Sequence, residues 1–325
     1  MKNIIEAKNL CRFYEVAEKG NNSYFFKRTH KTIKAVENIT FSIKAGERVG
    51  FIGPNGAGKS TTIKMMTGIL LPSDGQISVL GKNPYINRKQ NASHIGVVFG
   101  QRSQLWWDLP VIDTFALFKK IYKIPENVYQ SNLEKYTEIL GMKEFINQPV
   151  RQLSLGQRMR AELCAALLHN PQIIFLDEPT IGLDIVVKKQ IREMIKLINQ
   201  ENNTTVILTT HDLKDIEEVC DRIILINSGK IIVDDSIENM KDKFGGIHNV
   251  EFFTAEHYRN DIYIPEIIRW EQFENSFKAY FKINTIGAAS IIEKVLQIYK
   301  VEDIKINNPS IEDIVAEIYV ENSSI

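Results

Sequence analysis

Four short apolar runs punctuate the chain: Arg48–Ile52 (RVGFI), Ile173–Leu176 (IIFL), Thr205–Leu208 (TVIL) and Ile223–Ile226 (IILI). Strands covered on both faces carry unbroken runs of this kind, because neither side meets water. Between them the period changes. In IVVKKQIREMIKLINQ the residues Val187, Ile191, Met194, Ile195 and Ile198 recur at helical spacing and form one apolar face. Strands alternating with amphipathic helices predict an α/β fold, a parallel sheet covered by helices. Asp113–Gln148 breaks that alternation and reads as a helical insertion, whereas Asn227–Lys230 (NSGK) reads as a hairpin turn.

Past Phe244-Gly245-Gly246 the pattern restarts. VEFFT, AYFKI and DIKI read as strands and ASIIEKVLQIYK as a helix. A last helix is opened by Ser310-Ile311-Glu312-Asp313, a capping-box pattern. These signals predict two domains, residues 1–240 and a small α+β domain at 246–325. At 325 residues the chain is long for one core. No repeats or low-complexity tracts are visible.

Charge and cysteines narrow the class. Lys+Arg and Asp+Glu number 40 each, so no global field gathers nucleic acid, and any anion site is local. The start MKNIIEAKNL lacks the apolar segment of a signal peptide, and no apolar run approaches the roughly 18 residues of a membrane span. Cys11, Cys164 and Cys220 are odd in number and far apart, which fits a reducing cytosol better than a disulfide framework.

The strongest chemical signal is GPNGAGKST, Gly53–Thr61, between the RVGFI strand and the helical TTIKMMTG. Strand, glycine-rich loop, Lys-Ser and helix together form a phosphate-binding loop. The glycines turn backbone N–H groups inward around a phosphate, and the new helix adds its positive end. Gly53, Pro54, Asn55, Gly56, Ala57, Gly58, Lys59, Ser60 and Thr61 are therefore candidate nucleotide contacts. Lys59 would meet the β- and γ-phosphates and Ser60 a Mg²⁺ ion. IIFLDEPT ends a second strand in two acids. Asp177 is placed to hold Mg²⁺, and Glu178 to accept a proton from an attacking water. His211 closes TVILTT at the same edge of the sheet, where it can report a γ-phosphate.

Leu153–Leu163 (LSLGQRMRAEL) closely resembles the signature of ATP-binding-cassette (ABC) ATPases, commonly LSGGQ. The order of motifs agrees with that family over about residues 4–240: phosphate loop, glutamine loop at Gln101, helical insertion, signature, Asp177-Glu178, an aspartate loop ending at Asp184, and His211. The resemblance implies a P-loop core with a mixed sheet, a helical subdomain near 105–165, and ATP with Mg²⁺ as ligands. It implies that Tyr14 stacks on adenine and that Gln101 reaches the Mg²⁺ and the attacking water. It also implies that Ser154, Gly156, Gln157 and Asp184 face a nucleotide held by a second copy. One cassette per chain then makes a two-fold homodimer the economical assembly. Leu155 departs from the pattern, standing where glycine is usual.

Trp106 and Trp107, in GQRSQLWWDLP, are neighbours whose rings cannot easily share one core. In ABC ATPases the loop after the glutamine lines a groove for a membrane subunit, and exposed aromatics make good anchors there. Packing of both rings against the helical insertion is the alternative. Glu15–Thr32, with Phe25, Phe26, Lys27, Arg28, His30 and Lys31, reads as extra length: a solvated loop, or a contact with lipid headgroups or a permease. QLWWDLP and the ending NNPSIEDIVAEIYV look most like the ATPases of ABC-2-type exporters, which pair with separate membrane permeases. The expectation is an exporter ATPase, cytoplasmic and peripheral on the inner face of the membrane, without nucleic-acid partners. The alternatives are an importer ATPase or a soluble cassette acting on ribosomes or DNA.

Overall fold

The computed structural model describes residues 2–18, 29–100, 103–244, 247–254, 264–282, 285–307 and 310–323. It divides into two compact units, Met1–Asp234 and Asp235–Ile325.

The first unit opens with two long strands, β1 (Asn3–Glu18) and β2 (Thr29–Lys44), paired antiparallel. β3 (Arg48–Ile52), α1 (Lys59–Met66), β4 (Asp74–Val79), α2 (Arg88–Ala92) and β5 (Ile95–Phe99) follow. Next come the helices α3 (Val111–Tyr122), α4 (Glu126–Ile139) and α5 (Leu155–Leu167). β6 (Ile173–Asp177), α6 (Ile185–Asn202), β7 (Thr205–Thr209), α7 (Leu213–Val219), β8 (Arg222–Asn227) and β9 (Lys230–Ser236) complete it.

β2-β1-β4 form a three-stranded sheet, and β5-β6-β7-β3-β8-β9 a six-stranded one. In the larger sheet β5, β6, β7, β3 and β8 run parallel, and β9 returns from β8 through Ser228–Gly229. Parallel neighbours bring the carboxyl ends of β3, β6 and β7 to one edge, where open α/β sheets hold ligands. The strand cores Phe175, Ile207 and Ile224 are fully buried, as unbroken apolar runs require. On α6 the predicted stripe Val187, Ile191, Met194, Ile195 and Ile198 is the buried face. Burial of each of its isoleucines contributes roughly 1.5–3 kcal/mol.

One sequence expectation is corrected. Glu15–Thr32 is not loop throughout, since Glu15, Val16, Ala17 and Glu18 pair with Thr32, Lys31, His30 and Thr29. Alternation of polar and apolar residues is weak there, and cross-strand hydrogen bonding rather than burial holds the pairing. Phe25, Phe26, Lys27 and Arg28 lie outside the described residues.

The second unit starts with α8 (Ile237–Phe244), then β10 (Ile247–Phe253), β11 (Ile267–Gln272), β12 (Ser276–Lys282), α9 (Ala288–Leu296), β13 (Asp303–Asn307) and α10 (Ile311–Ser323). Its sheet is antiparallel in the order β11-β12-β10-β13. Phe252, Phe277 and Phe281 pack with Ile291 and Val295 of α9 in one core. Ser310 caps α10: its Oγ accepts from the Asp313 N–H, and the Asp313 carboxylate accepts from the Ser310 N–H, each at 3.2 Å.

Candidate nucleotide site

The loop between β3 and α1 turns tightly enough to demand glycine. Gly58 has φ 111°, and a Cβ there would stand 2.6 Å from the Ala35 carbonyl oxygen. A left-handed residue at the helix start leaves the first N–H groups of α1 facing outward. Lys59 is only 6% exposed, and its ammonium donates to the carbonyls of Gly53 (2.5 Å) and Pro54 (3.0 Å). Burial lowers its pKa, while Glu178 and Asp177 raise it. A buried ammonium whose direct partners are two neutral loop carbonyls still has its charge to offer an anionic ligand.

Asp177, the last residue of β6, accepts hydrogen bonds from Ser60 Oγ (3.2 Å) and Thr209 Oγ1 (2.6 Å) at one carboxylate oxygen. Helix α1 and strands β6 and β7 thus meet at a single oxygen. Glu178 follows with φ 56°, uncommon for a residue with a side chain. The Glu178 N–H holds that turn by donating to the carbonyl (2.9 Å) and Oγ1 (3.2 Å) of Thr209. Its Oε1 lies 2.6 Å from His211 Nε2. Beside it, a cleft of about 240 Å³ is lined by Ser60, Lys64, Ile69, Phe99, Gly100, Asp177 and Glu178.

Gly100 borders this cleft for a steric reason. Its N–H donates to the Asp177 carbonyl (2.8 Å), and an added Cβ would stand 2.5 Å from the Glu178 carbonyl oxygen. Gly100→Ala is therefore expected to push the strained Glu178 turn aside at a cost of roughly 1–3 kcal/mol. A lowered urea midpoint with an unchanged slope would record it.

Helix α5 begins at the signature. Ser154 Oγ accepts from the Gln157 N–H (3.2 Å), and Gln157 Oε1 accepts from the Ser154 N–H (2.9 Å), a reciprocal capping box. Gln157 therefore has a local job, one its S-x-x-Q spacing could have announced. Asp184 likewise caps α6 by accepting from the Val187 N–H at 2.9 Å. A Cβ added at Gly156 would stand 3.5 Å from Val187 Cγ2, so the two helix starts lie close together. Around them Leu155, Ile181, Ile185 and Val186 are exposed.

Four further positions singled out in the sequence are Tyr14, Gln101, Trp106 and Trp107. Tyr14 is partly exposed on β1, with the Arg12 guanidinium 4.7 Å from its ring centroid. Gln101 lies outside the described residues. Trp106 and Trp107 are 42% and 53% exposed, although Trp106 also contacts Phe118 at 5.7 Å between centroids.

Two groups escaped sequence reasoning. Buried Asp215 accepts from Thr180 Oγ1 (2.5 Å) and Thr210 Oγ1 (3.3 Å), with Arg192 at 3.6 Å, and so joins the segments after Glu178 and before His211. Buried Glu162 on α5 accepts from Ser103 Oγ and the Gln104 N–H. Burial raises its pKa, against the lowering by those donors. A lone acid in the apolar run AELCAALL was the available clue.

Residues 36–181 match the family model described as ABC transporter. The uncharacterized ABC transporter ATP-binding protein YhcH of Bacillus subtilis is 30% identical over 86% of this chain and 88% of its own length. The spermidine/putrescine import ATP-binding protein PotA of Spiroplasma citri is 32% identical over 70% of this chain and 60% of its own. Among solved structures, the dimeric post-hydrolysis state of the ATP-binding cassette MJ0796, bound to ADP and Pi, superposes with a TM-score of 0.61. It is 26% identical, over 72% of this chain and 98% of that one. Phosphate loop, paired acids and capped signature helix thus sit on the fold these relatives share: the chain belongs to the ABC transporter ATP-binding proteins and is an ATPase subunit of such a transporter.

Proposed function

We propose that two copies of this chain close head-to-tail over two ATP molecules and so drive export through a separate membrane permease. One observation carries the dimer: among the described residues, none lining the cleft at Ser60, Asp177 and Glu178 comes from the signature segment, whose capped start is instead ringed by exposed Leu155, Ile181, Ile185 and Val186. A second copy would bring Ser154, Gly156 and Gln157 to that cleft, with Asp184 beside them. An anion is welcome at a helix start, where free N–H groups and the dipole converge.

In the closed pair Lys59 leaves its own loop carbonyls for the β- and γ-phosphates, and Tyr14 stacks on the base. Glu178 orients the attacking water and takes its proton, and His211 holds the Glu178 carboxylate and senses the γ-phosphate. Ser60 Oγ and Asp177 Oδ1, 3.2 Å apart beside an open cleft, are hard oxygen donors suited to Mg²⁺, with Gln101 as the further ligand. When bound, that ion neutralises charge building on the phosphate oxygens.

Docking to the permease falls to Trp106 and Trp107, which hold the subunit on the cytoplasmic face of the membrane. Export is supported by the resemblance of QLWWDLP and the C-terminal ending to ABC-2-type ATPases. PotA, an import protein by name, favours import as the second reading. Vesicles reconstituted with the membrane protein encoded beside this gene separate the two by the side on which cargo accumulates. Changing Trp106→Ala and Trp107→Ala together is expected to abolish capture of that membrane protein in a pull-down; undiminished capture removes the docking role.

A further inference from the structure

The loop carrying the two tryptophans is bonded at both ends to the signature segment. On one side Glu162, 4% exposed and eight residues beyond Ser154, accepts from Ser103 Oγ and from the Gln104 N–H at 3.0 Å. Gln104 Nε2 returns a bond to the Glu162 carbonyl at 3.3 Å. On the other side, just before Ser154, the Arg151 N–H donates to the Trp107 carbonyl (3.0 Å), and the Arg151 guanidinium meets Asp108 at 2.7 Å. The Arg151–Asp108 pair is exposed and worth little. A buried carboxylate that collects several donors is the stiffer tie. An apolar residue at 162 would fill the same space on α5 yet leave Ser103 Oγ and the Gln104 N–H without their carboxylate acceptor.

We infer that Glu162 is a positioning residue that couples the tryptophan loop, Ser103–Leu109, to the signature helix start at Ser154. Closure of the nucleotide sandwich and seating of a partner on Trp106 and Trp107 then bias one another. Coupling between two sites is reciprocal, so ATP alone must disturb the loop. The inference rests on the head-to-tail dimer proposed above.

Tryptophan emission tests it in the full chain without any membrane partner. In a Glu178→Gln parent, Mg-ATP is added while dimer formation is followed by light scattering. The part of the emission change that disappears in a Trp106→Phe, Trp107→Phe version reports the loop. The expected result is a loop-dependent change in the parent, its loss in Glu162→Ala, and its partial recovery in Glu162→Gln, which keeps one acceptor oxygen. ATP-driven dimers persist in all three. An equal emission change in Glu162→Ala overturns the inference, as does a parent that dimerises with a silent loop. If Glu162→Ala does not fold by circular dichroism, Glu162→Gln decides alone, an undiminished change again overturning the inference. A parent that stays monomeric with ATP instead overturns the dimer itself, a failure visible in the scattering.

Discussion

Glu178→Gln is expected to cut ATP turnover by roughly 10²–10⁴, the usual contribution of general-base help, while leaving ATP-bound dimers that persist. The amide matches the carboxylate in shape and keeps a contact with His211 Nε2, now 2.6 Å from Glu178 Oε1. It cannot take a proton from water. The left-handed backbone at Glu178 is held by Thr209 and backed by Gly100, so the side chain position should survive the change. Single-turnover phosphate release together with light scattering measures both halves of the prediction. Normal turnover would remove Glu178 from the chemistry; lost turnover without a persistent dimer would separate hydrolysis from dimer opening.

Lys59→Met should have the next largest effect, weakening ATP binding by roughly 10–100-fold, the worth of a charged hydrogen bond in a dry site. Its effect on the unliganded fold should be small or favourable. The ammonium is buried, and burial already lowers its pKa, so the folded chain bears a desolvation cost that methionine does not. Thermal melts with and without nucleotide distinguish these effects. A ligand present at 100 times its dissociation constant stabilises by about 2.7 kcal/mol, and at the same concentration the variant should keep only about 0.4–1.4 kcal/mol of that while the unliganded melting temperature holds. A large drop without nucleotide would mean that Lys59 chiefly braces the Gly53 and Pro54 carbonyls.

Much of the site was legible because its signals are local. The phosphate loop, Asp177 and Glu178 at the end of β6, His211 after β7, and Ser154 at the start of α5 all sit within a few residues of the element that aims them. The stripe on α6 and the capping box at Ser310 were visible for the same reason. Strand β11 went unseen, since IIRWEQ carries only weak alternation and pairs with β12 through its backbone. Glu15–Glu18 and Thr29–Thr32 were hidden likewise, as a strand of mixed character is defined by its partner.

By itself, then, the order of residues determined the phosphate loop, the alternation of strands and helices, the paired acids and the family they mark. Tertiary structure alone decided that Glu178 meets His211, that Asp177 gathers Ser60 and Thr209, and that Glu162 reaches Ser103 and Gln104 some 58 residues away in the chain. Propensity and capping act over one or two helical turns, so a sequence displays them openly. Contacts between distant segments depend on which strands become neighbours and in what register, and those follow only once the whole core has closed.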